Sequence, residues 1–197
     1  MFHIYSALKS INGFQSEYRW LSNFWPCYLV YEGDLYPTAE HAYQSAKVDD
    51  PTLKKKILAC STPAEAKDFV DALNIAPLNW TTPKKLLVME TILKLKFGGQ
   101  HPFLTRALLE TGTAELVEAN TWNDTFWGVC NGTGENHLGK LLMKIRANLV
   151  EEKEQIIRLL SEQYSLDDIV HSLSITRREL YEKMMAFRIA HAEFWIS

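Results

Sequence analysis

The sequence predicts an α+β fold that is dominated by helices and carries a small β-sheet. One stretch near residue 30 has the composition of a β-hairpin, and several later segments open with helix-capping residues. Apolar residues recur at helical spacing within those segments. Hydrophobic residues make up 47% and charged residues 23% of the 197 positions, which is typical of a soluble globular protein.

The hairpin is predicted from the order of strand-forming and turn-forming residues. Cys27–Tyr31 is β-branched and aromatic, Glu32-Gly33-Asp34 favours a turn, and Leu35-Tyr36 continues as a second strand. Pro37 is expected to end that strand. The preceding segment, Ile11–Phe24, shows neither helical nor strand periodicity, and we predict that it is mostly loop.

The helix after the hairpin carries the first candidate site residues. Thr38 is a suitable cap for the segment AEHAYQSAKV, in which Glu40, Tyr43 and Lys47 lie three and four residues apart and share one face. An acid in a first helical turn is often only a favourable partner of the helix dipole. The alternative is that the face presents an acid, a stacking ring and a phosphate ligand together.

Further elements follow from prolines, capping boxes and apolar spacing. The predicted elements are a helix over Pro51–Ala59, a helix from Thr62 to about Leu73, a loop with Asn79-Trp80, a helix from Thr82 to Phe97, a helix over Pro102–Glu110 and a short strand over Ala114–Glu118. In the fourth of these, Leu86, Met89, Leu93 and Phe97 recur at helical spacing, so we predict that they belong to the core.

The stretch Asn120–Arg146 has the composition of a binding site. Glycine lets the backbone approach a ligand, and a helix that opens after such a loop, with Asn136 as its cap, offers amides to an anion. Exposed indoles stack on planar heterocycles. The pattern therefore favours a site for a phosphorylated, base-bearing small molecule, and a turn with core tryptophans is the alternative. The residues concerned are Trp122, Asp124, Trp127, Gly128, Gly132 and Gly134.

Composition excludes several classes of protein. A net charge of -3 predicts no electrostatic attraction to nucleic acid across the whole surface. The three cysteines are scattered, which indicates neither a disulfide framework nor a zinc knuckle, and the histidines form no HExxH pattern. The first residues lack the apolar core of a signal peptide and no segment reaches membrane-spanning length, so a cytoplasmic protein is expected.

Residues 151–197 differ in character from the first 150. They contain six basic and nine acidic residues, so the net charge of the chain lies in this segment. Capping boxes at Ser165 and Thr176 predict two helices around a turn at Ser172–Ile175, a spacing that resembles a helix-turn-helix. A plain helical pair that packs on the domain or dimerises is the alternative. We expect a domain over 1–150 and a helical extension over 151–197 that is dispensable for chemistry.

Together these patterns resemble the NADAR family, also called YbiA-like, over about residues 11–150. The similarity lies in LSNF (21–24), YPTAEHAYQSAK (36–47), NW (79–80), KF (96–97) and TWNDTFWGVCNGTGENHLGKLLMKIR (121–146). The resemblance implies a helix-rich α+β fold and N-glycosidase activity. Some members of the family cleave phosphorylated ribosylaminopyrimidine intermediates of riboflavin synthesis, and others remove ADP-ribose from guanine bases.

The resemblance also implies which residues act. Glu40, Trp80 and Asp124 are expected to be catalytic, and the expected substrate-binding residues are Asn23, Phe24, Tyr43, Lys47, Trp122, Trp127, Gly128, Gly132, Gly134 and Asn136. Many relatives carry an Arg-Pro-Asp-Trp run where this chain has Ala76-Pro77-Leu78-Asn79-Trp80. The charges that such a run would give to substrate binding are absent here.

The expected chemistry needs carboxyl groups and neither metal nor cofactor. Cleavage of a ribosyl C1′–N bond develops positive charge on the sugar while the departing base takes a proton, and Glu40 and Asp124 are the candidates for both tasks. The expected partner is a phosphorylated nucleoside-like molecule or an ADP-ribosylated nucleobase, which nucleic acid would carry. Two other functions stay open: a sensor that binds ADP-ribose or NAD without cleaving it, and a transcription regulator built on the tail.

Overall fold

A computed structural model of the protein describes residues 9–74 and 80–190. Within these ranges the chain has the predicted α+β fold, made mostly of helices. The six short strands pair two by two, so the sheets are small and the helices supply most of the core.

The order of the elements agrees closely with the pattern of caps and prolines in the sequence. The elements are β1 Ser10–Asn12, a 3₁₀ helix Ser16–Leu21, β2 Pro26–Tyr31, β3 Asp34–Thr38, α1 Ala39–Ser45, α2 Pro51–Leu58, α3 Pro63–Ala72, α4 Thr82–Phe97, α5 Pro102–Glu110, β4 Glu115–Val117, β5 Ala119–Asn120, β6 Val129–Cys130, α6 His137–Ser161, α7 Leu166–Leu173 and α8 Arg177–Phe187. Prolines lie in the first turn of α2, α3, α4 and α5, where a missing N–H costs nothing.

The predicted hairpin is confirmed, with one correction. β2 and β3 are antiparallel, and their turn residues Glu32 and Gly33 have φ values of 51° and 90°. Two positive φ values are typical of the tight hairpin turns that match strand twist. β3 continues through Pro37 to Thr38, because this ribbon has only two strands and tolerates a residue without an N–H donor.

The prediction of mostly loop over Ile11–Phe24 is wrong at the start and in the middle of that segment. Ile11 lies in β1, which pairs in parallel with β4 opposite Leu116, and residues 16–21 form the 3₁₀ helix. Both elements are too short to show a period, and the partner of β1 lies about a hundred residues away in the chain. Local sequence patterns carry no information on such a pairing.

Helix α4 lies at the centre of the core. Met89, Leu93 and Phe97 are buried as predicted, whereas Leu86 is only partly buried. The helix packs against α1, α5, α6 and β2. A second, smaller cluster of apolar side chains joins α2 and α3 to Val48, which follows α1, and α1 contacts both of these helices.

Helix α6 runs without interruption across residue 150. It extends from His137 to Ser161, and its buried residues Leu142, Leu149, Ile156 and Leu159 all belong to one core. The boundary expected at 150 therefore falls inside a helix. The helical extension itself is present as α7 and α8.

The two tail helices form a pair that packs on the rest of the protein. Both capping boxes are present, and Ser174 adopts a φ of 53° in the turn where glycine is more usual. Leu180, Met184 and Phe187 of α8 are buried in the common core, and α8 packs against α5. This packing matches the plain helical pair better than a free recognition helix.

The basic residues of α8 lie beside acidic partners. Arg177 forms an ion pair with Asp167 at 2.9 Å, and Arg178 forms one with Glu182 at 2.8 Å. A recognition helix needs such side chains to face phosphates and base edges. The pairs therefore weaken the helix-turn-helix interpretation.

A candidate active site around helix α1

Helix α1 carries Glu40 into the interior of the protein. Thr38 ends β3 and caps the helix, since its hydroxyl accepts a hydrogen bond from the backbone N–H of His41 at 3.2 Å. The predicted cap is thus confirmed. All seven residues of α1 are buried. The Glu40 N–H donates to the Asn23 carbonyl at 3.1 Å, which ties the helix start to the loop before β2.

The Glu40 carboxyl group is desolvated. The residue is 7% exposed, and its Oε1 accepts a hydrogen bond of 2.6 Å from Gln44 Nε2, one helical turn later. Burial raises the pKa of Glu40, while the Gln44 hydrogen bond and the positive charge of Lys47 oppose that rise. A carboxyl group with a raised pKa is suited to accept or donate a proton near neutral pH.

Three aromatic side chains meet beside Glu40, and we call Tyr43, Trp80 and Trp127 the aromatic cage. The Tyr43 ring lies 5.6 Å from the Trp80 ring and 5.5 Å from the Trp127 ring, centroid to centroid. Both indoles are partly exposed. Burial and then the charge of Glu40 raise the pKa of Tyr43, while hydrogen bonds from the two indoles oppose them. The tyrosine therefore stays neutral, with its ring tilted against Trp80 and edge-on to Trp127.

Trp122 does not join the cage. Its side chain is 61% exposed, and no ring contact involving it occurs among the described residues. The sequence pattern that placed two tryptophans around one acid therefore concerns one site residue, Trp127, and one surface residue. An exposed indole at this position remains available to a large substrate.

Two lysines lie at the rim of the cage. Lys47 Nζ is 5.2 Å from the centre of the Tyr43 ring, and Lys85 Nζ is 5.3 Å from the centre of the Phe126 ring. Burial lowers the pKa of Lys47, and the nearby charge of Glu40 opposes that change. Neither ammonium group has a carboxylate within ion-pair distance in the described part of the chain. Lys85 was not expected from the sequence.

Asp124 holds the turn that presents Trp127. Its Oδ1 accepts hydrogen bonds from the N–H groups of Phe126 at 3.1 Å and of Trp127 at 2.8 Å. The Asn120 amide fixes the other side of this turn through the backbone N–H and carbonyl of Asp124. The negative charges of Asp124 and Glu40 both act on Tyr43. The fold therefore brings together two acids that are distant in the sequence.

The glycine loop does not have the open amides that the sequence suggested. The N–H groups of Asn136, His137 and Leu138 donate to the carbonyls of residues 128, 126 and 127, so the start of α6 is already covered by backbone. Gly134 is required because a Cβ there would lie 2.2 Å from the Gly128 carbonyl oxygen. Gly132 has a φ of 79° and faces open space. These glycines serve close packing and turn geometry.

Asn136 directly precedes α6, at the cap position, but its side chain does not cap the helix. Its φ is 52° and its side chain makes no capping hydrogen bond. Instead, Nδ2 donates to the Leu116 carbonyl at 2.9 Å, and Oδ1 accepts from the Glu118 N–H at 3.1 Å. The predicted cap is wrong because the side chain joins α6 to β4.

The LSNF residues Asn23 and Phe24 lie outside the aromatic cage. Asn23 is buried, and its Nδ2 donates to the Met89 sulfur at 3.4 Å, while its Oδ1 has no partner in the described structure. Phe24 is partly buried and shows no ring contact with the aromatic cage among the described residues. Asn79, predicted in the NW pair, and the altered run at 76–79 lie outside the described residues.

Two charged residues near the site were missed from the sequence. Glu118 follows β4, and its pKa is raised to about 7 by burial and by the charges of Asp124 and Glu40, against the opposing charge of Lys96. Lys96 of α4 is completely buried, its Nζ donates to the Ser22 carbonyl at 2.7 Å, and burial lowers its pKa to about 8. In the sequence, Glu118 is an acid at the end of a predicted short strand and Lys96 is a lysine within an apolar helix. Both positions are unusual for a charged residue, but neither pattern is specific to a functional site.

The described residues contain no group of three or more His, Cys, Asp or Glu side chains arranged to hold a metal ion. No helix among them is long and apolar enough to cross a membrane. A groove of about 460 Å³ between α4, α6 and α8 contains none of the candidate residues. The candidate site is therefore the cluster around α1.

The fold thus places a buried carboxyl group beside an aromatic cage in a helix-rich α+β protein. The NADAR domain matches residues 11–150, and the chain belongs to this family. It is 39% identical over 142 residues to N-glycosidase YbiA of Shigella boydii, covering 70% of this chain and 85% of that protein. An N-glycosidase of Nostoc punctiforme is 36% identical over 138 residues, covering 67% and 86%.

A longer relative and a solved structure show the same similarity. A riboflavin biosynthesis protein of Vibrio vulnificus is 36% identical over 132 residues, and the match spans 66% of this chain but only 35% of that protein. The NMR structure of the Escherichia coli protein YbiA superposes with a TM-score of 0.65 at 34% identity, covering 74% of this chain and 88% of that one. The fold prediction is confirmed by this match.

Proposed function

We propose that the protein is an N-glycosidase that hydrolyses the ribosyl C1′–N bond of a phosphorylated nucleoside-like substrate. The observation that carries this proposal is the buried Glu40 carboxyl group beside the aromatic cage. Burying an acid costs stability, and acids with perturbed pKa values cluster at functional sites. The names of the matched relatives, N-glycosidase and riboflavin biosynthesis protein, support the same reaction class.

The proposed mechanism divides the work between two acids. Glu40 activates the water that attacks C1′, since burial favours its taking a proton. Asp124 contributes negative charge that stabilises the oxocarbenium-like sugar, and its carboxylate also holds Trp127 in place. Trp80 and Trp127 stack on the base, and Lys47 neutralises phosphate at the rim. This mechanism requires neither metal nor cofactor.

The substrate is proposed to be either a ribosylaminopyrimidine phosphate or ADP-ribosylated guanine on DNA. Incubation of the protein with each, followed by mass spectrometry of the released base, distinguishes the two. Glu40→Gln should bind the productive substrate with unchanged affinity but release base about 10²-fold more slowly. Release should also continue in the presence of EDTA.

The alternative function is a non-catalytic sensor of ADP-ribose or NAD. Tight binding of ADP-ribose to the wild-type protein, without base release from any substrate, would establish the sensor and reject the hydrolase. Quenching of tryptophan fluorescence reports binding in both cases, because the aromatic cage contains two indoles.

A further inference from the structure

Glu118 occupies a fixed position at the edge of the candidate site. It lies between β4 and β5, where its N–H donates to Asn136 Oδ1 at 3.1 Å and its carbonyl accepts from the Val129 N–H at 2.9 Å. These two bonds fix the Glu118 backbone beside Asn136 and Val129. The fold therefore sets the point from which the glutamate side chain extends.

The neighbouring chain leaves room for this side chain. A Cβ on Gly128 would lie 2.9 Å from Glu118 Cγ and 2.2 Å from the Glu118 carbonyl oxygen. Only glycine at position 128 permits both the strand pairing and the present path of the glutamate side chain. Gly128 follows directly after Trp127, so the same short segment supplies a cage residue and the space for Glu118.

The Glu118 carboxyl group has unused hydrogen-bonding capacity. Its Oε2 is buried and has no partner among the described residues, while the residue as a whole keeps partial access to solvent. An ionised carboxylate in this position would be costly. A buried polar atom without a partner is unusual in native proteins and calls for a functional explanation.

The charges around Glu118 favour its protonated form. Asp124 from the loop before β6 and Glu40 from α1 both raise its pKa, and Lys96 from α4 lowers it. Burial is the largest influence, and together these effects raise the pKa of Glu118 to about 7. Near neutral pH a large fraction of the molecules therefore holds a proton on this group, beside two other acids.

We propose that Glu118 is a third carboxyl group of the site and donates the proton that the leaving base requires. This assignment rests on the proposed N-glycosidase function. As the C1′–N bond breaks, its electron pair stays on nitrogen, which takes the proton from Glu118. Water adds to C1′ and gives its proton to Glu40, and exchange with solvent returns both groups to their starting states. Such a donor typically contributes 10²–10⁴-fold to the rate.

The test compares Glu118→Gln with Glu115→Gln, an exposed glutamate of β4 that serves as the control. Each is assayed with the ribosylated base and with 4-nitrophenyl riboside 5-phosphate, whose leaving group departs without a proton. Glu118→Gln should lower kcat on the ribosylated base at least about 10²-fold, with KM nearly unchanged, yet retain turnover of the nitrophenyl substrate. Glu115→Gln should match wild type on both substrates.

The pH profile provides a second, independent measurement. Wild-type kcat on the ribosylated base should fall as the pH rises through about 7, the pKa of Glu118. This alkaline limb should be absent from the residual activity of Glu118→Gln and retained in Glu118→Asp, which keeps a carboxyl group. Glu118→Gln could fail to fold, and the protein could reject the nitrophenyl substrate. In either case the test is the alkaline fall of kcat, which should be present in both wild type and Glu118→Asp.

Four outcomes overturn the assignment. A folded Glu118→Gln that turns over the ribosylated base at the wild-type rate removes Glu118 from the reaction. Equal loss on both substrates with a normal melting curve indicates a role in binding or packing. A wild-type rate that is flat between pH 6 and 9 excludes the proton donor. If wild type cleaves no ribosylated base at all, the proposed function fails, and with it the role of Glu118.

Discussion

Glu40 and Gln44 lie one turn apart on α1 and are joined by a 2.6 Å hydrogen bond from Gln44 Nε2 to Glu40 Oε1. The bond forms inside a helix whose residues are all buried. The other amide atom, Gln44 Oε1, has no partner in the described structure. One hydrogen bond does not compensate for burying a charge. The arrangement is therefore better explained by chemistry at Glu40 than by stability.

The first prediction concerns the charge of Glu40. Glu40→Gln preserves size and removes the ionisable group, so turnover of the productive substrate should fall about 10²-fold or more. The free energy of unfolding should not decrease, because the substitution removes a carboxyl group whose burial is unfavourable. Glu17→Gln, an exposed position in the 3₁₀ helix, is the matched control. Steady-state kinetics and urea unfolding measure both effects, and near-normal turnover would remove Glu40 from the mechanism.

The second prediction separates two roles of Asp124. Asp124→Asn keeps an oxygen that accepts the N–H groups of Phe126 and Trp127 but removes the charge, so turnover should fall about 10²-fold with little loss of stability. Asp124→Ala removes the acceptor as well and should lower the free energy of unfolding by about 1–3 kcal/mol. Urea titrations alongside kinetics resolve the two variants. If Asp124→Asn is active and stable, the charge of Asp124 has no catalytic role, and the residue only holds the turn.

Local features of the sequence predict the helices well, because their caps and prolines are read within a few residues. Thr38, Ser165 and Thr176 cap helices where the sequence places them. The parallel pairing of β1 with β4 cannot be predicted from such local features, because the two strands are distant in the chain. Pairings of this kind depend on tertiary packing.

The site was predicted in part for the same reason. Glu40 and Tyr43 share a helix face, which periodicity reveals, but their closeness to Asp124 was implied only by the family resemblance. The amides of the glycine loop looked available because the sequence does not show which carbonyls fold back onto them. Gly128 and Asn136 set the position of Glu118, and local periodicity does not show that the chain folds back to bring these later residues against it.

The third prediction assigns stacking to the aromatic cage. Trp80→Ala and Trp127→Ala should each weaken ligand binding by about 1–3 kcal/mol, the usual range for base–aromatic stacking. Trp122→Ala, at an exposed position away from the cage, should change binding much less. Fluorescence titration with ADP-ribose and a ribosylated pyrimidine measures affinity, and thermal melts exclude unfolding. Wild-type affinity in both cage variants would rule out stacking.

The fourth prediction concerns the tail. Phe187 of α8 is buried in the common core, so Phe187→Ala should lower the free energy of unfolding by about 3–5 kcal/mol. A chain that ends near Glu152 interrupts α6 and should melt at a lower temperature for the same reason. Turnover per folded molecule should be unchanged in both, since we place the chemistry before residue 150. A well-folded but inactive variant would make the tail part of the site.

The last prediction concerns the pH dependence of stability. Glu118 has a folded pKa of about 7, above its usual 4.5, so its contribution to stability is complete below pH 4.5 and is lost as the pH rises through 7. Lys96 has a folded pKa of about 8, below its usual 10.5, so its contribution is complete above pH 10.5 and is lost as the pH falls through 8. Around pH 7–8 the stabilising contributions of both Glu118 and Lys96 are therefore largely lost.

Two substitutions separate these effects. Relative to wild type, Glu118→Gln should gain stability as the pH rises from about 4.5 to 7, and Lys96→Met should gain stability as the pH falls from about 10.5 to 8. Each gain should reach about 3.5 kcal/mol at most, since one pKa unit corresponds to about 1.4 kcal/mol. Lys96→Met also leaves the Ser22 carbonyl without its donor. The test therefore uses the change with pH in the stability difference between variant and wild type, and not the size of that difference at one pH. Urea unfolding at pH 5, 7 and 9.5 measures this change, and a difference from wild type that does not vary with pH would show that the substituted group titrates at its ordinary pKa.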